Sequence, residues 1–206
     1  DNKKLPKTMT LSNYIKQGYL NKADARVLPG IMAQIMFALY QMQSLGVQHN
    51  DLHIANIMVE KRSAESGSIF YAVGEKEIML DFSIPKIWIF DLDLAACGVC
   101  GDNDLASLCD EFGICNERNS RFDTYTIIQY LKEISFLKHN EDFQKFAERV
   151  VPKKLSEEFS HRLCNRAPTD AAKCTAFPEG EPDSVMNPQQ VIKDEFFDPV
   201  KFNCQI

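Results

Sequence analysis

His49-Asn50-Asp51-Leu52-His53-Ile54-Ala55-Asn56 is the stretch on which the reading of this chain turns. Two histidines, an aspartate and two asparagines fall within eight residues, between a long apolar segment and a strand-like run. Upstream, residues 27–45 carry Ile31, Ile35, Ala38 and Met42 on one stripe and Met32, Met36 and Leu39 on its neighbour, the spacing of a helix buried over much of its circumference. Pro29 is tolerable in its first turn and Gly46 stops it. Downstream, Asn56 to Glu60 read as extended. Three further strand-like runs follow, at 68–73, 77–82 and 86–90, with Gly74-Glu75-Lys76 as a hairpin turn between the first two. The last run ends in Asp91-Leu92-Asp93. Carboxylates at a strand end are held rigidly enough to serve a ligand. Asn56, Asp91 and Asp93 are oxygen donors of the kind Mg2+ prefers alongside phosphate oxygens, which leaves Asp51 to orient a hydroxyl proton. That division of labour fits phosphoryl transfer.

Around this centre the chain alternates few strands with many helical patterns. Residues 10–19 read as a short helix that Thr10 or Ser12 can cap. Helical spacing returns at 123–138, then through Phe143, Phe146 and Val150, then through Leu155, Phe159 and Leu163. Residues 97–121 and 165–187 read as loop, and Asn187 with Pro188 opens a last short helix running into Phe196 and Phe197. The order predicts an α-rich α+β unit. Trp88 alternates with Phe90 along its strand and is expected in the core; His139 and His161 are expected in solvent.

Composition bounds the partners. The chain has 206 residues, a formal charge of −6 and 45% hydrophobic residues, enough for a core and too apolar for a solvated coil. The charge argues against a general nucleic-acid or membrane-surface binder. No apolar run is long enough for a membrane span. Seven cysteines, an odd count without a leader-like start, point to a reducing intracellular compartment. Four of them cluster as Cys97-x2-Cys100-x8-Cys109-x5-Cys115. Four thiolates suit tetrahedral zinc, although only the first two have the usual close pairing; scattered, partly buried thiols are the alternative. Cys97-x2-Cys100 also lacks the strand-to-helix setting of redox-active pairs.

His49-x-Asp51-Leu52-x-x-x-Asn56 has every fixed spacing of the protein-kinase catalytic loop, and Ile89-Phe90-Asp91-Leu92-Asp93 stands where the metal-binding Asp-Phe-Gly would. The chain resembles a protein-kinase C-lobe over nearly its whole length. Residues 5–12 look like the hinge, 27–45 like the helix before the catalytic loop 49–56, Arg121 to Tyr125 like the start of the central helix, and 187–197 like the closing helix. The hairpin insert at 61–86, the Asp-Leu-Asp ending and Asn50 resemble the virion-associated serine/threonine kinases of large cytoplasmic DNA viruses. The resemblance implies a mainly helical C-lobe with a small β element, and ATP-dependent transfer to protein hydroxyls. It assigns Asp51 and His53 to catalysis, Asn56 and Asp91 to the nucleotide and Mg2+, Asp93 to the metal's neighbourhood, and His49 and Asp123 to bracing. It implies a location in the host cytoplasm and in the particle, with viral structural proteins among the substrates.

The sequence also departs from that pattern. Asn50 replaces the arginine that pairs with a phosphorylated activation loop. His53 stands where a lysine is usual and carries full charge only when protonated. Asp93, in place of glycine, is either an added ligand or a solvated turn residue. The segment 91–121 contains no Ala-Pro-Glu, and no Gly-rich loop or Lys–Glu pair is present. A nucleotide-capping N-lobe is therefore expected upstream of Asp1 or in another segment, or else is absent. A pseudokinase or structural virion component is the rival expectation, and a small-molecule kinase of similar fold a third.

Overall fold

The computed structural model describes residues 7–20, 25–62, 67–73, 76–81, 83–101, 103–104, 119–157 and 184–200. The chain is α+β, with small antiparallel sheets set against helices. Strand β1 (Thr8–Thr10) runs directly into helix α1 (Leu11–Lys16), whose first turn is capped by the Thr10 hydroxyl accepting the Asn13 N–H at 3.2 Å. Helix α2 (Val27–Ser44) is buried on almost all sides at its N-terminal end, as its double apolar stripe requires. It ends at Gly46, whose φ of 71° is the left-handed geometry glycine adopts freely.

Strand β2 (Val47–Gln48) leads into the 49–56 loop and β3 (Ile57–Glu60) leaves it. β1, β3 and β6 (Lys86–Ile89) form one sheet, with Thr10 and Trp88 both opposite Met58. β4 (Ile69–Val73) and β5 (Lys76–Leu80) form the expected hairpin, its register closing from Val73 to Lys76; residues 74 and 75 lie outside the described set. β7 (Ala96–Cys97) pairs back onto β2. The short strands β1 and β7 were not expected from the sequence.

The hairpin is held by one buried side chain of α2. Gln34 Nε2 donates to the Pro85 carbonyl at 2.8 Å and to the Gly30 carbonyl at 3.2 Å, while Oε1 accepts from Ile87 N–H at 3.3 Å and Tyr71 Oη at 3.3 Å. Close packing adds to this: a Cβ on Gly30 would lie 2.6 Å from Ile84 Cγ2.

Helix α3 (Phe122–Lys132) presents a continuous buried run from Phe122 to Gln129. The spacing predicts a helix to 138, but after Lys132 the amides of Ile134 and Leu137 bond three residues back, and a 3-10 turn at Leu137–His139 replaces the α-helix. Ile134 and Leu137 keep their packing against the core. Helix α4 (Glu141–Val150) is capped by Asn140, and α5 (Lys153–Glu157) follows; the rest of the patterned 155–163 segment, His161 included, is outside the described residues. His139 is exposed, as expected. Helix α6 (Pro188–Val191) opens with a reciprocal capping box between Asn187 and Gln190, and a 3-10 stretch, Glu195–Val200, closes the described chain. Among the described residues no helix is long and apolar enough to cross a membrane.

Two expectations are corrected. Trp88 is 48% exposed and not in the core: it lies on the outer sheet face with Met58, its Nε1–H donating to Glu60 Oε2 at 3.0 Å and the Lys86 ammonium 3.6 Å from its ring centroid. The alternation is right, but Ile87 and Ile89 take the inward side. Cys97 and Cys100 are joined by a disulfide, so neither sulfur is a thiolate ligand. Cys109 and Cys115 lie outside the described residues, and the four-cysteine zinc site is set aside.

Candidate active site

The loop between β2 and β3 is built around a buried carboxylate from another element. Asp123, in the first turn of α3 and 2% exposed, accepts the backbone N–H of His49 at 2.8 Å on Oδ2 and that of Asn50 at 3.0 Å on Oδ1. Hydrogen bonds to an ionised acceptor are about twice as strong as neutral ones, and here both oxygens grip consecutive amides. Asn50 thereby sits at φ 67°, a left-handed conformation in which asparagine is several-fold enriched among non-glycine residues. Asp123 does not cap its own helix; the N-cap is Arg121.

Asn50 explains its own departure from arginine. It is 1% exposed, its amide nitrogen donates to the Leu94 carbonyl at 2.9 Å, and its oxygen accepts from Gln48 Nε2 at 2.6 Å. A guanidinium in that place would bring a full charge into a buried position where the Asn50 side chain meets a carbonyl and an amide. Gln48 in turn accepts the Asn119 N–H at 2.6 Å. Nothing in the sequence pattern singles out Gln48, because a polar residue beside a loop is unremarkable.

His49 is fully buried and acts as a backbone clip. Its Nδ1 accepts the Asp51 N–H at 3.3 Å, so the ring proton belongs on Nε2, which donates to the Phe90 carbonyl at 3.0 Å. The Phe90 N–H donates to the Asn56 carbonyl at 3.1 Å. Phe90 is thus tied to both ends of the 49–56 loop, and Asp91 follows it directly at φ 67°. The Asp91 carboxylate is exposed and takes no hydrogen bond or ion pair among the described residues.

Asp51, His53 and Asn56 converge. Asn56 Nδ2 donates to the Asp51 carbonyl at 3.0 Å and reaches Asp51 Oδ2 at 3.4 Å. Since only the amide nitrogen can donate, this bond also fixes Asn56 Oδ1 on the side away from Asp51. His53 Nδ1 accepts the Ala55 N–H at 3.2 Å, which places its proton on Nε2, 3.8 Å from Asp51 Oδ2. Tyr130 of α3 meets the His53 ring edge-on at 5.7 Å between centroids, a contact that sequence reading missed. Asp93 is exposed, its backbone carbonyl held by Asn103 Nδ2 at 2.9 Å.

Among the described residues no three His, Cys, Asp or Glu side chains converge as a metal site. Two oxygen donors here are nevertheless of the kind a hard cation takes: the Asn56 amide oxygen, on the side away from Asp51, and the exposed Asp91 carboxylate. A groove of about 660 Å3 lies elsewhere, floored by Leu20, Leu28 and Pro29 with Phe136 and Phe196, and includes none of these residues. Neither protein-family models, nor curated proteins, nor solved structures give a match to this chain.

Proposed function

We propose that this chain is the catalytic lobe of an ATP-dependent protein kinase acting on serine or threonine hydroxyls. The observation that carries the reading is the lacing of Phe90 to the 49–56 loop. It fixes Asp91 beside the cluster of Asp51, His53 and Asn56, while Asp123 holds the loop from behind. The spacing of the motif in the sequence supports the same assignment.

In this reading Asp51 accepts and orients the substrate hydroxyl proton through its carboxylate, which is 35% exposed. His53 presents Nε2–H toward the same space and donates one hydrogen bond to the transferred group. The proton is on Nε2 because Nδ1 accepts the Ala55 amide. Asn56 Oδ1 and Asp91 would hold Mg2+, with Asp93 nearby; the ion supplies neutralisation of phosphate charge. The outer sheet face, where Met58 and Trp88 lie opposite one another and Phe90 is 38% exposed, offers a seat for a nucleotide base and its covering lobe.

That same exposed face favours a second reading, a pseudokinase or structural virion component that uses the lobe for contact with proteins. One experiment separates the two. Mg-dependent ATP turnover onto protein substrates is measured with the natural full-length protein and its Asp51→Asn and Asp91→Asn variants. Losses of about 100-fold or more in both, with melting temperatures unchanged, are expected for catalysis. Activity surviving both substitutions, or absent from the full-length protein, overturns the kinase reading. Phosphorylation of metabolites and not proteins would place the lobe among small-molecule kinases.

A further inference from the structure

The segment that follows Asp91 is closed by the Cys97–Cys100 disulfide, with Cα atoms 5.2 Å apart. The pair lies one short strand away from the candidate catalytic loop. Cys97 is opposite Val47 in the β2–β7 ladder, Gln48 is opposite Ala96, and the Gly98 N–H donates to the Gly46 carbonyl at 3.0 Å. Two residues beyond Val47 is His49. A second tie runs from Asn50 Nδ2 to the Leu94 carbonyl, and Asn103 Nδ2 holds the Asp93 and Ala95 carbonyls at 2.9 Å each. Between Asp91 and Asn103, then, the chain is stitched to the loop at Asn50 and β2, and the disulfide closes the turn at the far end of that stitching. Gly101, at φ 86°, bridges back to Cys97.

The bond is reachable. Cys100 is exposed, and Val99 between the cysteines is 87% exposed, whereas Cys97 is half-buried in the ladder. A small thiol therefore meets Cys100 Sγ first.

We propose that Cys97–Cys100 is a thiol-exchange site for low-molecular-mass thiols of the glutathione class, and that its state sets the order of the 46–51 segment. A thiolate RS− attacks Cys100 Sγ; the Cys97–Cys100 bond breaks, Cys97 leaves as thiolate and takes a proton from solvent. A second RS− attacks the small-thiol sulfur of the mixed disulfide and releases Cys100 as thiolate, which is protonated in turn. The protein pair gains two electrons, and two RSH become one RSSR. Oxidised RSSR runs the sequence backward. Opening so short a loop returns chain entropy to residues 97–100 and loosens the Cys97 end of the two-residue β2–β7 ladder, where Cys97 lies opposite Val47. The effect on the loop stands on the contacts above; its consequence for phosphoryl transfer rests on the kinase reading.

The test uses the full-length protein equilibrated in reduced and oxidised glutathione at stepped ratios. Alkylation and peptide mass analysis follow the two cysteines, and amide hydrogen exchange follows residues 46–51, with Cys97→Ser/Cys100→Ser as a permanently open reference. Cooperative two-electron opening of the pair is expected. Exchange across 46–51 should rise by roughly twentyfold and match the double variant. A pair that stays closed in reduced glutathione, stays open in oxidised glutathione, or opens without changing exchange at 46–51 overturns the proposal. Exchange that responds in a protein showing no phosphoryl transfer in either state refutes the kinase reading and leaves the thiol site standing.

Discussion

Asp123 shows how much of a loop can depend on one residue from another element. Its two oxygens hold the amides of His49 and Asn50, and all three residues are buried. Asp123→Ala removes both acceptors and leaves two buried donors; each such loss costs about 1–3 kcal/mol. The expected outcome is a stability loss of roughly 2–6 kcal/mol in urea unfolding, with faster amide exchange at His49 and Asn50. Asp123→Asn keeps one acceptor and is expected to fall between. Equal exchange in wild type and Asp123→Ala would remove the bracing role. One residue along, Thr124 is fully buried with no partner for its hydroxyl among the described residues. Thr124→Val keeps the shape and deletes the unsatisfied group, so a gain of about 1 kcal/mol is expected on the same urea axis; a loss would show that the hydroxyl is used.

Between elements, the hairpin β4–β5 and strand β6 depend on α2 through two side chains. Gln34→Leu fits the space but strands the Pro85 carbonyl and the Ile87 N–H, for an expected loss of about 2–4 kcal/mol. Local exchange at Ile87 would rise with it, and an unchanged Ile87 amide would show the glutamine to be dispensable. The second clamp is Asp81, whose carboxyl is held below its ordinary value of 3.8, first by the Ser83 hydroxyl and then by the Ser83 N–H and the Arg26 guanidinium at 2.7 Å. A depressed folded value means the contribution is complete above the unfolded pKa and is lost as pH falls through the folded one. Wild type and Asp81→Asn are therefore expected to differ in thermal stability at pH 6 and to converge as pH falls below the ordinary value of 3.8 and through the depressed folded one; a gap that persists in acid would sink the assignment. These clamps also mark the limit of what the sequence discloses. The 49–56 motif, the buried double stripe of α2, the hairpin and the Asn187 cap are readable because side-chain type and spacing encode them. The ties from Phe90 run through its backbone amide and carbonyl, which every residue possesses, so no pattern could announce them. Strands of two or three residues such as β1 and β7 carry too few positions to show a period. Trp88 was misplaced because alternation gives two faces and does not say which one is inside.

For the molecule as a whole, the core is closed by its last described segment. Phe197 is fully buried and meets Phe146 edge-on at 5.5 Å, while Phe196 stacks on Phe146 at 4.2 Å. Arg149 of α4 reaches across to Asp194 with two bonds of 2.7 Å, and Asp194 accepts the Phe196 N–H at 2.8 Å. Asp194 has a side chain only 6% exposed, so this paired fork is better shielded than a surface ion pair. The segment also packs along α2, the helix that carries Gln34 and leads through Gly46 to the 49–56 loop. A chain whose closing segment were a mere appendage would lose little on truncating one ring. If the ring completes the common core, Phe197→Ala removes a large buried side chain that neighbours cannot fill, at an expected cost of about 3–5 kcal/mol. For a chain of this length each kcal/mol moves the melting midpoint by roughly 2–4 °C, so a fall of about 6–20 °C is expected in a single cooperative transition. Phe197→Leu should recover part of it, because it restores most of the volume without the edge-on aromatic contact. A shift under about 2 °C for Phe197→Ala, or a separate early transition that leaves the main one unmoved, would show that the segment folds apart from the rest of the core.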